Sequence, residues 1–314
     1  MAPRIGVVGS TMTDLITYGA RMPRAGETLE AERFAVGRGG KGANQAVGAA
    51  RLGAGVSFIG RVGEDQFGRD TCAALSAEGI DISHLLTTPG VASGVAPIFV
   101  ADNGENCILI IKGANARVTP ADIEAASPVL RGCDLILLQL EIPLEAVYAT
   151  IDWAGRHGKR VLLNPAPATD KLAFERIASV DYFVPNQTEL AILSGLPTET
   201  VAEATAAARH LLARGMRRII VTLGGDGVLL VTPEEAAHIP ALTVKPRDTT
   251  GAGDAFIGAF AFYETAGEPL DTALRKAAAY AALSVTRDGT QTSFAKAEEF
   301  ERFLAERGAE SPPA

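Results

Sequence analysis

Short apolar runs alternate along this chain with segments in which apolar residues recur at helical spacing. The apolar runs predict strands at Arg4–Gly9, Val56–Val62, Cys133–Leu140, Arg160–Asn164, Asp181–Pro185 and Arg218–Leu223. Helical spacing occurs at Asp65–Gly79, Leu144–His157, Lys171–Ser179, Thr188–Leu193, Thr200–Arg214, Asp254–Ala266 and Leu270–Thr286. Because strands that alternate with helices form parallel sheets covered on both faces, we expect an α/β fold of three α/β/α layers around a mostly parallel sheet.

Two strand-like stretches interrupt this alternation, because neither has a helix beside it. One spans 15–37, and the other is a hairpin over 95–112 whose loop carries Asn103-Gly104, a strong turn signal. We expect them to form a small inserted β-sheet lid over the carboxyl edge of the main sheet, where open α/β sheets bind ligands. The predicted division is a body of 1–14, 38–94 and 113–307, a lid of 15–37 and 95–112, and a disordered tail of 308–314.

Composition narrows the classes of function. The 314 residues are 47% hydrophobic and 21% charged, with a net charge of −8, which argues against nucleic acid or an anionic membrane as a partner. No cationic-then-apolar segment opens the sequence and no run of 18 apolar residues occurs, so we expect a cytoplasmic protein. The three cysteines are far apart and the four histidines lack metal-ligand spacing, which disfavours a disulfide framework and a histidine–metal site.

The segment Asp248-Thr249-Thr250-Gly251-Ala252-Gly253-Asp254 stands directly before a long apolar helix. A glycine turn that opens a helix presents free backbone N–H groups and the positive end of the helix dipole, which together suit a phosphate. Asp254 would repel that phosphate unless its carboxylate takes part in the chemistry, for example by accepting a proton from an attacking hydroxyl. This pattern indicates a kinase for a small alcohol. The alternative is an ordinary helix cap.

A second glycine cluster, Gly37-Arg38-Gly39-Gly40-Lys41-Gly42-Ala43-Asn44-Gln45, precedes an alanine-rich helix predicted at Ala46–Leu52. It satisfies G-x-G-x-x-G, but the first predicted strand ends some thirty residues earlier, so a dinucleotide fold is disfavoured. Glycines also let bare backbone approach a small polar ligand, and Lys41 and Asn44 would then donate to sugar hydroxyls. The alternative is a glycine-lined turn with a solvated Lys41.

Polar side chains follow several predicted strands. They are Asp14, Glu141, Asn164, Asn186 and Glu189. Carboxylates and amides at the carboxyl ends of parallel strands point into the crevice where ligands bind, although each one alone could be a cap or a turn residue.

Together these residues resemble the ribokinase-type family of small-molecule kinases, from Gly9-Ser10 to Ser293. The resemblance rests on both glycine segments and on Gly113-Ala114-Asn115-Ala116, Gln139-Leu140-Glu141, Asn164-Pro165-Ala166-Pro167-Ala168 and Val285-Thr286-Arg287. It implies transfer of the ATP γ-phosphoryl group to the 5-hydroxyl of ribose. It also implies Mg²⁺ bound with the ATP, K⁺ as an activating monovalent cation, and a homodimer paired through the lids.

The resemblance also assigns residues, set by set. Asp254 is the expected catalytic base, and the amides of Gly251, Ala252 and Gly253 form the anion hole. The sugar set is Met12, Asp14, Gly40, Lys41, Gly42, Asn44, Glu141 and Asp254. The nucleotide set is Asn186, Thr222, Leu223, Gly224, Gly225, Asp226, Gly227 and Gly253. Asn186 and Glu189 are associated with Mg²⁺. The monovalent-cation set is Asp248, Thr250, Ser284, Arg287, Gly289 and Ser293, mostly through backbone oxygens.

Met12 departs from the common family pattern, which has Asn at this position. Methionine forms no strong hydrogen bond, so an apolar side chain here raises 2-deoxyribose as a substrate, with ribose still ranked first. Other family substrates remain open: a nucleoside, fructose, or a sugar phosphate that Arg33 and Arg38 would help to bind. A non-catalytic sugar or nucleotide sensor is the alternative from another class, but a sensor has no need of Asp254.

Overall fold

The computed structural model describes residues 2–103 and 105–310. In this part of the chain, nine strands form the main sheet, in the order β13-β12-β11-β10-β9-β8-β1-β4-β5. Its strands are β1 (Arg4–Val8), β4 (Gly55–Gly63), β5 (Asp81–Thr88), β8 (Leu135–Leu138), β9 (Arg160–Leu163), β10 (Tyr182–Phe183), β11 (Ile219–Thr222), β12 (Val228–Val231) and β13 (Ala236–Ile239). From β11 to β5 every neighbouring pair is parallel, whereas β12 is antiparallel to both of its neighbours.

Helices cover both faces of this sheet. They are α1 (Lys41–Arg51), α2 (Gln66–Ala77), α3 (Pro120–Ala125), α4 (Ser127–Leu130), α5 (Leu144–Arg156), α6 (Phe174–Ile177), α7 (Gln187–Ser194), α8 (Val201–Leu212), α9 (Ala252–Thr265), α10 (Leu270–Ser284) and α11 (Ala297–Glu310). Successive residues of β8 enter opposite cores: Leu135 and Leu137 pack with α1, α9 and α10, and Ile136 and Leu138 pack with α5 and α8. The three-layer prediction is therefore confirmed.

A separate four-stranded sheet forms the lid, in the order β3-β2-β6-β7. Its strands are β2 (Met12–Gly19), β3 (Arg33–Gly39), β6 (Val95–Ala101) and β7 (Asn106–Ile108). The small second sheet is confirmed, but β2 begins at Met12 and β3 ends at Gly39, so the lid strands reach further into the glycine cluster than predicted. The lid therefore carries Met12 and Asp14 on its own first strand. Gly104, in the predicted hairpin loop, lies outside the described residues.

Some elements differ from the sequence prediction. The strands β5, β12 and β13 were not predicted, because β5 mixes polar and apolar residues and β13 lies at a partly exposed edge. Helix α1 starts at Lys41, not Ala46, so the glycine cluster itself opens the helix. Helix α11 continues to Glu310, three residues into the predicted tail, and 311–314 lie outside the described residues.

Candidate active site

Two helices bring the polar residues of the two glycine segments together. Helices α1 and α9 cross at Gly48 and Gly258, where a Cβ added to Gly258 would lie 2.7 Å from the carbonyl oxygen of Gln45. Only glycine permits so close an approach of two backbones. As a result, the first turn of α1 lies against the first turn of α9, which carries Asp254.

Asp254 is the centre of this arrangement. Its side chain is 7% exposed, and each of its oxygens accepts a hydrogen bond from an amide of α1. Asn44 Nδ2 donates to Oδ2 at 2.9 Å, and Gln45 Nε2 donates to Oδ1 at 3.0 Å. A carboxylate so held has a fixed direction and remains beside the N-terminus of its own helix. The sequence placed Asn44 and Asp254 in the sugar set without predicting a contact between them, and it gave Gln45 no role.

Asp14 and Glu141 form an acidic wall on the lid side of Asp254. A Cβ at Gly39 would lie 2.5 Å from both carboxylate oxygens of Asp14, so a side chain at position 39 would displace this carboxylate. Glu141 accepts hydrogen bonds from the Ser10 hydroxyl and, at 2.9 Å, from the Lys41 backbone N–H. Burial, with the charge of Glu141 adding to it, raises the pKa of Asp14 to about 6.

Lys41 stands among three carboxylates. Burial alone would lower its pKa, but the charges of Asp254, Glu141 and Glu189 outweigh burial and raise the pKa above its ordinary value. The side chain is therefore a partly buried cation between the acidic wall and Asp254, which disfavours the solvated-turn alternative. Gly40, the N-cap of α1, has φ 89°, and a Cβ there would lie 2.7 Å from the Met12 nitrogen. A Cβ on Gly42 would likewise lie 2.7 Å from the Ser10 nitrogen.

Met12 lies beside Asp14 on strand β2, on the same face because the two are two residues apart. It is 5% exposed, and its Sδ is 3.7 Å from Asn115 Nδ2. Asn115 uses its own polar atoms on Thr11: Nδ2 donates to the Thr11 carbonyl at 2.7 Å, and Oδ1 accepts from the Thr11 N–H at 3.0 Å. Position 12 therefore presents an apolar thioether in an otherwise polar site.

A cavity of about 630 Å³ opens on the far side of the α9 N-terminus. Residues of the predicted nucleotide set line it, namely Asn186, Thr222, Gly224, Gly225, Gly227 and Gly253. Leu223 is instead buried in the core, and Asp226 does not line the cavity, although its carbonyl contacts His238 at 2.6 Å. The cavity thus lies where the resemblance places the nucleotide, with fewer side chains than predicted.

The sequence did not point to more than half of the residues that line the cavity. The missed residues are Gln187, Thr188, Val228, Ala241, Leu242, Thr243, Val244, Pro246, Phe256, Ala278, Ala281, Ala282 and Val285. The run of small residues in α10 was the available signal, since alanines on one helix face leave room for a ligand. No sequence pattern in the irregular 241–246 segment predicts that it lines a cavity.

The expected anion hole lies between the cavity and Asp254. Gly251 is the N-cap of α9 with φ 77°, and a Cβ there would lie 2.3 Å from Thr290 Cγ2. Ala252 and Gly253 line the cavity in the first helical turn. The first N–H groups of a helix have no partners within it, so this turn has the geometry of an anion site.

Asn186 and Glu189, predicted to associate with Mg²⁺, form the capping box of α7. Asn186 Oδ1 accepts from the Glu189 N–H at 2.8 Å, and Glu189 accepts from the Asn186 N–H at 2.9 Å. Burial raises the pKa of Glu189, and the charge of Asp254 adds to this against the effects of Asn186 and Lys41. Among the described residues, no group of three or more His, Cys, Asp or Glu could hold a metal ion. One buried carboxylate beside the cavity nevertheless fits a Mg²⁺ that keeps its waters and is held largely by phosphates.

Three of the residues predicted to hold the monovalent cation, Asp248, Thr250 and Gly289, lie in contact with one another. Asp248 accepts from the Thr250 N–H at 2.9 Å and from the Gly289 N–H at 2.8 Å, which joins their two loops. Burial would raise the pKa of Asp248, but the hydrogen bonds from Thr250 and Gly289 lower it overall. The Arg287 guanidinium pairs with Glu299 at 2.6 Å. Because a guanidinium is itself positively charged and has no acceptor atom, only the backbone of Arg287 could hold a cation. The Ser284 and Ser293 hydroxyls donate to the carbonyls of Ala281 and Thr290, at 2.8 and 2.7 Å.

The G-x-G-x-x-G pattern does not form a dinucleotide turn. Gly37 and Gly39 lie in lid strand β3, and Gly42 lies in α1, away from the turn that follows β1. Within the part of the chain that the structure describes, no helix combines the length and apolar character needed to cross a membrane.

Comparisons with known proteins identify the family of the chain. The chain matches the model of the pfkB family of carbohydrate kinases over residues 2–297. It is 49% identical over 301 residues to a deoxyribokinase of Salmonella typhi, covering 96% of this chain and 98% of that protein. It is 39% identical over 298 residues to a ribokinase of Mus musculus, covering 93% and 92%. The structure of Arabidopsis thaliana ribokinase complexed with ribose and ATP matches with a TM-score of 0.89 at 32% identity, covering 97% of this chain and 99% of that chain. The chain therefore belongs to the pfkB family of carbohydrate kinases, whose members transfer a phosphoryl group to a sugar hydroxyl.

Proposed function

We propose that this kinase transfers the γ-phosphoryl group of ATP to the 5-hydroxyl of a pentose and that 2-deoxyribose is its preferred substrate. The observation that carries the choice of sugar is the buried Met12 beside Asp14. The 49% identity to a deoxyribokinase supports the same choice. This reverses the order given by the sequence, in which ribose ranks first.

The energetic argument concerns the sugar 2-hydroxyl. If C2 of the pentose faces Met12, the hydroxyl of ribose is buried against a thioether that cannot satisfy it. An unsatisfied buried polar group costs about 1–3 kcal/mol, or about 5- to 150-fold in binding. 2-Deoxyribose has no 2-hydroxyl, so its binding does not carry this cost. An apolar pocket rejects an added hydroxyl only moderately, so ribose remains the second candidate and a slower substrate.

In the proposed mechanism, Asp14, Lys41, Asn44 and Glu141 hold the sugar under the lid. Asp254 accepts the proton of the 5-hydroxyl as that oxygen attacks the γ-phosphorus. The N–H groups of Gly251, Ala252 and Gly253 stabilise the charge on the phosphoryl oxygens. In a loose transition state the nucleophile loses its proton late, so positioning supplies most of the rate.

Two ions complete the proposal. Mg²⁺ bound to the ATP phosphates would neutralise their charge, with Glu189 and Asn186 beside it. A monovalent cation, expected to be K⁺, would be held by Asp248 and by backbone oxygens of the Gly289 loop. Its expected role is to order the turn that leads into Gly251, because Asp248 and Thr250 belong to that turn.

We also propose a homodimer formed through the lids. The lid exposes apolar side chains that a monomer would leave in water, among them Phe34, Val36, Ile108, Leu109, Ile110 and Ile111. A sheet with unpaired edges and an apolar face is suited to pairing with a second copy of itself. Sedimentation velocity of the intact chain distinguishes a dimer from a monomer directly.

The substrate proposal is tested by Met12→Asn. We expect the wild type to have the higher kcat/KM on 2-deoxyribose and the variant to shift the ratio toward ribose by about tenfold or more, because an amide can pair with the 2-hydroxyl. Met12→Leu is the matched control, since it keeps the volume and the apolar character and should keep the preference. The measurement is ADP release with each sugar at saturating Mg·ATP.

Other outcomes would change the assignment. Much faster turnover of ribose by the wild type would make ribose the substrate and Met12 a tolerated variation. Turnover of neither pentose would move the search to a nucleoside, fructose or a sugar phosphate. Binding of sugar and ATP without any turnover would favour the sensor.

A further inference from the structure

The amides that hold Asp254 are themselves held by a second layer of glutamines. Gln139 Nε2 donates to Gln45 Oε1 at 2.6 Å, and Gln291 Nε2 donates to Asn44 Oδ1 at 3.0 Å. Each oxygen of Asp254 therefore ends a two-member amide chain, Gln139 to Gln45 on one side and Gln291 to Asn44 on the other. The chains come from different elements, since Gln139 follows β8 and Gln291 lies in the turn before α11.

The outer glutamines fix which end of each inner amide faces the base. An amide side chain can present either its oxygen or its nitrogen, and only the nitrogen can donate to a carboxylate. If Gln45 turned over, its oxygen would face Asp254 Oδ1 and its nitrogen would face the Gln139 nitrogen, so both contacts would be lost. Gln45 Nε2 would also lose its hydrogen bond to Asn164 Oδ1 at 3.3 Å, so Asn164 favours the same orientation. The same reasoning applies to Asn44 and Gln291. The outer layer thus selects one orientation of the inner layer, and the inner layer selects one orientation of the carboxylate.

The chain keeps Gln139 in place in spite of a structural cost. Its side chain is fully buried, and its Oε1 has no hydrogen-bond partner. A buried carbonyl without a partner lowers stability. Gly9 leaves room for this side chain, because a Cβ at Gly9 would lie 2.2 Å from Gln139 Oε1. The φ angle of Gly9 is not positive, so its backbone conformation does not itself require glycine. Gly9 is therefore needed for space alone. A leucine or methionine would remove this unsatisfied oxygen, but it would leave the buried Gln45 Oε1 without the donor that Gln139 supplies. The amide at position 139 therefore serves Gln45, and packing alone does not account for it.

We propose that Gln139 is a positioning residue for catalysis, which acts through Gln45 to hold the Asp254 carboxylate in its proton-accepting direction, with Gln291 acting through Asn44 in the same way. This proposal rests on the proposed function in taking Asp254 as the base. Gln139 itself touches neither ligand, since it is buried behind Gln45. Its loss should therefore lower kcat and leave the binding of sugar and ATP largely unchanged.

The test is Gln139→Met, which keeps the length of the side chain and removes both the donor and the unsatisfied oxygen. We expect kcat to fall about tenfold or more, because small misplacements of a catalytic group are costly. The KM values for sugar and ATP should change less than about threefold. Tm should change little, because the variant removes the unsatisfied Gln139 Oε1 but leaves Gln45 Oε1 without its donor. A purely structural role predicts instead a lower Tm with an unchanged kcat. Thr150→Val, which removes a buried hydroxyl from α5 far from the site, is the matched control and should keep wild-type kcat.

A double variant tests whether the loss of kcat in Gln139→Met acts through Asp254. In an Asp254→Asn background, Gln139→Met should cost less than about twofold more in kcat, since the base it positions is already gone. A kcat within twofold of wild type in the single variant would overturn the proposal, and so would an undiminished loss in the double variant. If Gln139→Met does not fold, Gln291→Met makes the same test on the other chain of amides.

Crystal structures of the wild type and Gln139→Met give a readout that needs no sugar. We expect the Gln45 amide and the Asp254 carboxylate to take more than one orientation in the variant. One unchanged orientation would overturn the proposal. If the wild type phosphorylates no sugar at all, the proposed function fails, and these structures alone decide whether Gln139 positions Asp254.

Discussion

The sugar side and the nucleotide side of this active site are built by different means. On the sugar side, buried polar side chains from distant segments hydrogen-bond to one another, as Asp254 does with Asn44 and Gln45. On the nucleotide side, the cavity of about 630 Å³ is walled mostly by glycines and by apolar side chains, with several threonines among them. Asn186 and Thr222 are the predicted polar side chains that line it, and Asn186 is already engaged in capping α7.

This difference predicts different kinds of sensitivity. A polar side that leaves groups unpaired with the wrong ligand can discriminate strongly, whereas an apolar wall discriminates only by shape. Exchanging one polar atom should therefore change ligand discrimination most on the sugar side. On the nucleotide side, added bulk at the backbone should matter more than a change of polar atoms.

The largest effect is expected at the boundary between the two sides. Asp254→Asn keeps the shape of the side chain but removes the proton acceptor, and kcat should fall roughly 10²-fold or more. The KM for sugar should change little, because the neighbouring Lys41, Asp14 and Glu141 are unaltered. Steady-state kinetics on the pentose that the wild type prefers give both values. The control is Asp70→Asn, on the exposed surface of α2. A near-wild-type kcat for Asp254→Asn would remove Asp254 from its assigned role.

In the absence of sugar, the buried Asp14 carboxylate of the acidic wall should lower the free energy of unfolding. The pKa of Asp14 rises from 3.8 to about 6 on folding, so between these values the folded chain binds more protons than the unfolded chain. Its free energy of unfolding must therefore decrease as pH rises through this window. Asp14→Asn should remove a penalty on the order of 3 kcal/mol at pH 8, and the gain should shrink toward zero as pH approaches 4.

Urea unfolding of wild type and Asp14→Asn at pH 5 and pH 8 measures this effect, with Asp70→Asn as the surface control. The same variant should bind sugar more weakly, since it loses a charged acceptor. An equal stability difference at both pH values would show that Asp14 is not the titrating group. A nucleotide-side substitution should show no comparable dependence on pH.

The sugar side could largely be predicted from the sequence because its signals are local. A glycine cluster and a polar residue after an apolar run each stand within a few residues, and Lys41, Asn44, Glu141 and Asp254 could be found in this way. Their partners in the second layer could not. Gln139 and Gln291 are far apart in sequence, and only the packing of β8, α1 and the turn before α11 brings their amides to Gln45 and Asn44.

The nucleotide side was harder to predict for a physical reason. A cavity is the space left between segments that do not fill it, and no residue pattern marks that space. The 241–246 segment has neither strand nor helical periodicity, and α10 shows only a run of alanines. Most apolar, central strands of the main sheet were predicted, whereas the edge strands β5 and β13 were missed because their partial exposure weakens the pattern. The buried strand β12 was also missed, although all four of its residues are apolar.

The smallest expected effects compare two glycines of the anion hole, Gly251 and Gly253. Gly251→Ala forces an alanine to φ 77° and places its Cβ 2.3 Å from Thr290 Cγ2, so the free energy of unfolding should fall by about 1–2 kcal/mol or more. Gly253→Ala meets nothing within 4 Å and lies inside α9, so stability should be unchanged or rise by up to about 1 kcal/mol. Its new Cβ projects where Gly253 lines the cavity, so the KM for ATP should rise about tenfold, while the KM for sugar is unchanged. Urea unfolding and ATP titrations of both variants separate a glycine that the fold requires from one that the nucleotide requires. A stability loss at Gly253, or an unchanged KM for ATP there, would mean that the phosphates lie elsewhere along the cavity.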